Sequence, residues 1–215
     1  MAAAGKRRAY KYIAITDHSR RLTMAHGLDG VRLAKQIDEI DRVSEKLDGI
    51  HLLKGIEVDI LADGRLDLSD SIFARLDVVV AAVHYNFDLS RDAQTKRIIR
   101  AMDNPHVSII AHPTGRLIGE REPYQVDIDR LIAAARDRGC CLEINAGPDR
   151  LDLNDLNARA VKSAGARVAI SSDAHAPTAL DWMRYGVDQA RRGWLEPQDV
   201  INTRPLTALK KLLKR

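Results

Sequence analysis

The chain has 215 residues, of which 45% are hydrophobic, 30% charged and 4% aromatic, with a formal net charge of +4. That length can bury roughly 70% of the surface an unfolded chain exposes, so a packed core is expected and disordered, collagen-like and low-complexity classes are excluded. No apolar run approaches the roughly 18 residues of a membrane-spanning helix. No opening stretch reads as a secretory leader, and the two cysteines, Cys140 and Cys141, are adjacent; together these point to a cytoplasmic location. The mild positive charge is compatible with a phosphate-rich partner without pointing to one.

In chain order, apolar runs rich in Val and Ile occur at 12–15, 51–56, 77–83, 107–111, 140–144 and 167–170. Most are continuous rather than alternating, as strands buried on both faces are. Amphipathic helical stretches separate them at 28–47, 127–138 and 153–164, followed by Gly49, Gly139 and Gly165 as stops. The alternation predicts an α/β fold with right-handed crossovers in one domain spanning 1–215. After Pro205 a short basic amphipathic helix is expected, capped by Asn202 or Thr203, its basic face merely solvated.

The ends of these runs carry the chemistry. They read Thr16-Asp17-His18, Gly55-Ile56-Glu57, Val83-His84, Ala111-His112-Pro113, Glu143-Ile144-Asn145 and Ser171-Ser172-Asp173-Ala174-His175. From Glu57 onward they recur every ~30 residues, about one strand–helix unit each. Each unit therefore places an ionisable or ligating group at the C-terminal end of its strand, the catalytic face of barrel-like α/β folds. Imidazoles and carboxylates on one rim suit zinc, manganese or iron. Paired ions lower the pKa of a shared water and clamp a phosphoryl group. A lone histidine is more often a packed core residue than a ligand, but six strand ends in register are hard to explain by packing, because buried charge is costly without partners. His51 and His106 lie before their strands and read as structural. His26 falls in the loop after the first strand and reads as an exposed loop residue. Cys140 and Cys141 read as small core residues.

These motifs resemble the PHP (polymerase and histidinol phosphatase) family, and within it the C-terminal PHP domain of bacterial family-X DNA polymerases. The stretches 55–68 (GIEVDILADGRLDL), 111–121 (AHPTGRLIGER), 142–153 (LEINAGPDRLDL) and 190–195 (ARRGWL) carry the likeness. The resemblance implies a distorted (β/α)7 barrel with up to three manganese or zinc ions. It places Glu57, His84 and His112 on one metal, Glu57 and Asp173 on a second, and His18 and His175 on the third. It also implies phosphoester hydrolysis, in family-X polymerases a manganese-dependent 3′-5′ exonuclease. Asp173 and His175 are then catalytic as well as ligating.

The family's His-x-His strand has no counterpart here, since no histidine precedes His18. About six strands are therefore expected instead of seven, in an N-terminally truncated barrel lacking three ligands and weak or inactive as it stands. The gap should fall between residues 12–16 and 167–170, with residues 1–11 helical or frayed and covering little of it. Such open edges invite self-association. Arg116 is a candidate to neutralise the substrate phosphate, with a surface salt bridge as the competing role. Arg20 and Arg21 are weaker candidates. Asp17, Glu143 and Asn145 are candidates to orient ligands or simply to pack. The expected substrate is a DNA 3′ end. The alternatives are a small phosphoester, as for a histidinol-phosphatase-like enzyme, or no reaction at all in a truncated metal-binding module. No membrane partner is expected.

Overall fold

The structure, a computed structural model, describes residues 1–214. Six parallel strands run β1 (Tyr12–Ile15), β2 (His51–Asp59), β3 (Val78–Ala82), β4 (Val107–Ile110), β5 (Cys141–Asn145) and β6 (Arg167–Ser171), hydrogen-bonded in sequence order. Among the described residues eight α-helices accompany them: α1 (Ala2–Arg7), α2 (Gly30–Ser44), α3 (Asp70–Phe73), α4 (Arg91–Met102), α5 (Ile128–Arg138), α6 (Asp155–Ser163), α7 (Met183–Arg192) and α8 (Leu206–Leu213). The result is the expected α/β architecture, a distorted barrel left open between its first and last strands.

Both faces of the sheet are buried. On β3, Val79 and Ala81 face the helical shell while Val78, Val80 and Ala82 face the barrel interior. That is why the strand runs read as continuous apolar stretches. Gly55 marks the tightest point. A Cβ there would lie 2.8 Å from Thr16 Cγ2 and 2.9 Å from both the Ile15 carbonyl oxygen and Val78 Cγ1. Glycine lets β1 and β3 close on β2 at that level.

The interior has two layers. The lower one is apolar, formed by Leu53, Val78, Val80, Ile109, Cys141 and Ala169. Leu209 and Leu213 of α8 fill it from below, and Ser108 Oγ donates to the Leu213 carbonyl at 3.2 Å. The helix is amphipathic as expected, with Lys210 and Lys211 exposed, and its apolar face plugs the barrel. Its N-cap is Pro205, while Asn202 and Thr203 lie in a preceding 3-10 turn. The upper layer is polar, with Glu57, Asp59, Glu143 and Asn145 buried at the strands' C-terminal ends. Residues i and i+2 on a strand share a face, so each polar pair follows the same inward track.

Among the described residues β1 and β6 share no ladder, but their facing edges are less bare than expected. Val200 bridges Val168, and the Asn202 side chain accepts from Ile170 N at 3.0 Å and donates to the Ile170 carbonyl at 2.8 Å. The Tyr12 hydroxyl reaches the carbonyls of Asn202 (2.9 Å) and Arg204 (2.7 Å) from the other side. Helix α1 is also tied across the opening, with Arg8 Nε on Asp181 at 2.7 Å and the Tyr10 hydroxyl on the Leu180 carbonyl at 3.4 Å. The expectation that residues 1–11 cover little of the gap is thus corrected. No helix among the described residues is long and apolar enough to cross a membrane.

Candidate metal centre

The rim assembles around Glu57. Beyond β1 the chain stays beside β2: Glu57 N donates to the Asp17 carbonyl and Ser19 N to the Glu57 carbonyl, each at 2.9 Å. This seats His18 directly against Glu57. Glu57 Oε1 then meets His112 Nε2 at 3.1 Å and His84 Nε2 at 3.4 Å, while Oε2 meets His18 Nδ1 at 3.5 Å. One ligand atom each of His18, Glu57 and His84 lies within 4.8 Å of the other two. The histidine rings pack in a chain, with centroids 5.2 Å apart for His18–His84 and His84–His112 and 5.9 Å for His18–His175.

The residues behind this ring fix its geometry. His84 Nδ1 donates to Asp59 Oδ1 at 2.8 Å, which leaves Nε2 directed at Glu57. His175 Nδ1 donates to the Asp173 carbonyl at 2.9 Å. Asn145 Nδ2 donates to Asp173 Oδ2 at 3.0 Å and to Glu143 Oε2 at 3.3 Å, and Glu143 Oε2 accepts from the His112 amide at 2.7 Å. His112 and Asp173 have positive φ, 26° and 50°. Such backbone is disfavoured for residues with a Cβ and is held here by the surrounding bonds.

The electrostatics are those of a carboxylate-rich pocket. Burial disfavours ionised Glu57, but His112 and His84 outweigh it and hold the carboxyl well below its ordinary range. Burial likewise opposes charge on His84, yet Asp59 and Glu57 push it up to about 9. Burial, more than its charged neighbours, lowers His18. Burial together with Asp173 and Glu57 pushes Glu143 up to about 8. A divalent cation would relieve this crowding of acids. The donor set fits one: buried imidazoles and carboxylates converge, and His18 Nδ1 and His112 Nδ1 are buried without a hydrogen-bond partner.

Other candidates fall differently. Arg116 does not face the ring: its Nε donates to the Arg150 carbonyl at 2.7 Å and its Nη2 to the Leu151 carbonyl. Arg20 and the Arg21 amide contact Asp67, and the Arg21 guanidinium lies 5.2 Å from the Tyr85 ring centre. Asp17 accepts from Gln36 Nε2. His26 is exposed, and Cys140 and Cys141 are buried. Two residues were missed. Asp59 had a legible signal, standing two positions after Glu57 on the same strand face. Arg150 had none: it lies in the loop after β5, with Nε 3.7 Å from Asp173 Oδ2 and Nη1 buried without a hydrogen-bond partner.

No family model matches the chain. It is 45% identical over 215 residues to the DNA polymerase/3′-5′ exonuclease PolX of Bacillus subtilis (strain 168), which covers all of this chain but only 38% of that protein. A probable phosphatase of Thermoanaerobacter sp. (strain X514) is 31% identical over 211 residues, covering 92% of this chain and 81% of the relative. The histidinol phosphate phosphatase of Lactococcus lactis, solved with zinc, L-histidinol and phosphate, superposes with a TM-score of 0.63 at 14% identity, covering 90% of this chain and 86% of that one. The ordered strand-end motifs, the barrel that carries them and these relatives agree: the chain belongs to the PHP family of metal-dependent phosphoesterases.

Proposed function

We propose that this chain is a single-domain, cytoplasmic, divalent-metal-dependent hydrolase that cleaves phosphodiesters at a DNA 3′ end. The observation that carries the reading is Glu57, a buried carboxylate with three imidazoles within 3.5 Å at the open end of the barrel. Glu57, His84 and His112 would hold one ion, Asp173 together with Glu57 a second, and His18 with His175 the remaining position. Manganese is the first ion to test and zinc the second. Such ions act as Lewis acids on phosphoryl oxygen and lower the pKa of water.

The chain's own residues supply orientation and charge. Asp59 holds the His84 tautomer, a carboxylate–imidazole pairing that strengthens a ligand. Asn145 and Glu143 set the positions of Asp173 and of the His112 backbone. Arg150, beside Asp173 with an unpartnered Nη1, is better placed than Arg116 to receive a phosphate oxygen.

The match of the whole chain to 38% of a polymerase/exonuclease favours a nucleic-acid substrate. The probable phosphatases support a second reading, a small phosphomonoester. Hydrolysis of an end-labelled single-stranded oligonucleotide and of histidinol phosphate, each with manganese or zinc, separates them. Release of nucleotides from the 3′ end, abolished by His84→Ala, is the expected result. Hydrolysis of the monoester alone supports the second reading, and no metal-dependent hydrolysis of either overturns both.

A further inference from the structure

The stretch 190–195 leaves an aromatic residue that the metal centre does not use. Trp194 is 71% exposed and its φ is 62°, a left-handed conformation rare for a bulky side chain. The conformation is held in place: Lys162 Nζ donates to the Trp194 carbonyl at 2.7 Å, and Leu195, next in sequence, packs against the core. The indole is thus displayed rather than merely left over. The Arg159 guanidinium stands 5.8 Å from its ring centre, and Arg159 makes no ion pair among the described residues.

A cleft of about 490 Å³ between the start of α6 and α7 is lined by Arg116, Leu151, Asn154, Tyr185, Gln189 and Arg192 among others. Leu151 in its lining follows Arg150, whose Nε lies 3.7 Å from Asp173 Oδ2. Tyr185 lies in the wall with the Arg184 guanidinium 4.6 Å from its ring centre. Arg192, at the end of α7, is two residues from Trp194. The acids of the wall are engaged, Asp155 with Arg192 at 2.9 Å and Asp188 with Arg191 at 3.9 Å. Arginines and two aromatic rings, Tyr185 and Trp194, each with a guanidinium near its ring, thus lie on or next to α6 and α7. Basic grooves with interleaved aromatic rings suit single-stranded nucleic acid, whose phosphates and bases alternate in the same way.

We infer that α6, α7 and Trp194 form a track for the single strand whose 3′ end enters the metal centre, with Trp194 stacking on a base and Arg159 contacting a phosphate. The inference rests on the proposed phosphodiester reading and specifies its substrate as polymeric and single-stranded. Anisotropy of a labelled oligothymidylate, titrated with the chain in chelator so that no cleavage intervenes, tests it. Trp194→Ala should weaken binding roughly ten-fold, within the range for loss of one stacked base, while Trp194→Phe stays near wild type. Arg159→Gln should reduce the slope of log affinity against log salt by about 0.7, one single-strand phosphate contact. Equal affinity of wild type and a folded Trp194→Ala, an unchanged salt slope in Arg159→Gln, or no oligothymidylate binding at all would overturn the track; the last is also what an anchor for a protein partner would give. Hydrolysis of bis(p-nitrophenyl) phosphate by the wild-type chain reports the metal centre separately. Its absence despite intact strand binding would count against the proposed function alone, and its presence without strand binding against the track alone.

Discussion

The pairing of Asp59 with His84 is the most specific consequence of the geometry. Asp59 is 2% exposed, and its Oδ1 accepts the His84 Nδ1 proton at 2.8 Å. Asp59→Asn keeps shape and volume but replaces a charge-assisted bond by a neutral one. A hydrogen bond to a charged group contributes ~1.5–3 kcal/mol and a neutral one ~1 kcal/mol, so the difference is about 0.5–2 kcal/mol. The upper half of that range corresponds to about a ten-fold loss of metal affinity, and Asp59→Ala, which frees the ring to rotate, should approach a hundred-fold. Isothermal titration of the metal-free variants with manganese measures both. Because Asp59 touches no substrate in this arrangement, activity should recover in excess metal for Asp59→Asn more fully than for Asp59→Ala. Wild-type metal affinity in Asp59→Ala would refute the assignment of Asp59 as the group that orients His84.

Further outcomes follow from the same structure. Leu209→Ala, by emptying part of the barrel plug, should destabilise the fold by ~2–5 kcal/mol in urea unfolding; a change below ~0.5 kcal/mol would show that α8 does not fill the barrel. Tyr12→Phe, by withdrawing the hydroxyl that serves the Asn202 and Arg204 carbonyls, should cost about 1 kcal/mol in the same assay. Arg150→Gln should raise KM or lower kcat for a phosphodiester while Arg116→Gln acts mainly on stability; the reverse pattern would restore Arg116 as the phosphate contact. The metal-free chain should lose stability as pH rises from 6.5 to 9. His84, raised from 6.5 to about 9, stabilises fully below the lower value and loses that contribution through the upper one. Glu143, raised from 4.5 to about 8, resists ionisation in the fold, so its effect has the same sign over the overlapping window. A urea midpoint that climbs across that window would contradict these environments.

Much of this molecule was legible in its sequence, for reasons that differ by element. The strands were visible because a sheet covered on both faces needs continuous apolar runs. The end of β2 was missed because the run breaks at Glu57 and Asp59, the residues that turn inward to the polar layer. The histidines and acids at strand ends were legible from their recurrence, which the barrel converts into convergence on Glu57. The role of α8 was not, since an amphipathic helix reads the same whether its apolar face lies on a shell or fills a barrel. Arg116 stands next to the right loop in sequence, but its guanidinium satisfies the backbone carbonyls of Arg150 and Leu151, a pairing set only by tertiary structure. Arg150 sits in an irregular loop, where no periodicity announces which way a side chain faces.

The central claim, that Glu57 gathers a divalent metal site at the open end of the barrel, is tested most directly by counting ions. The chain is loaded with manganese or zinc, desalted and analysed by mass spectrometry, in parallel with Glu57→Gln, which keeps the side chain's size and removes its charge. Retention of at least one ion per folded chain, lost in Glu57→Gln, is the predicted result; equal retention by both, or none by either, would contradict it.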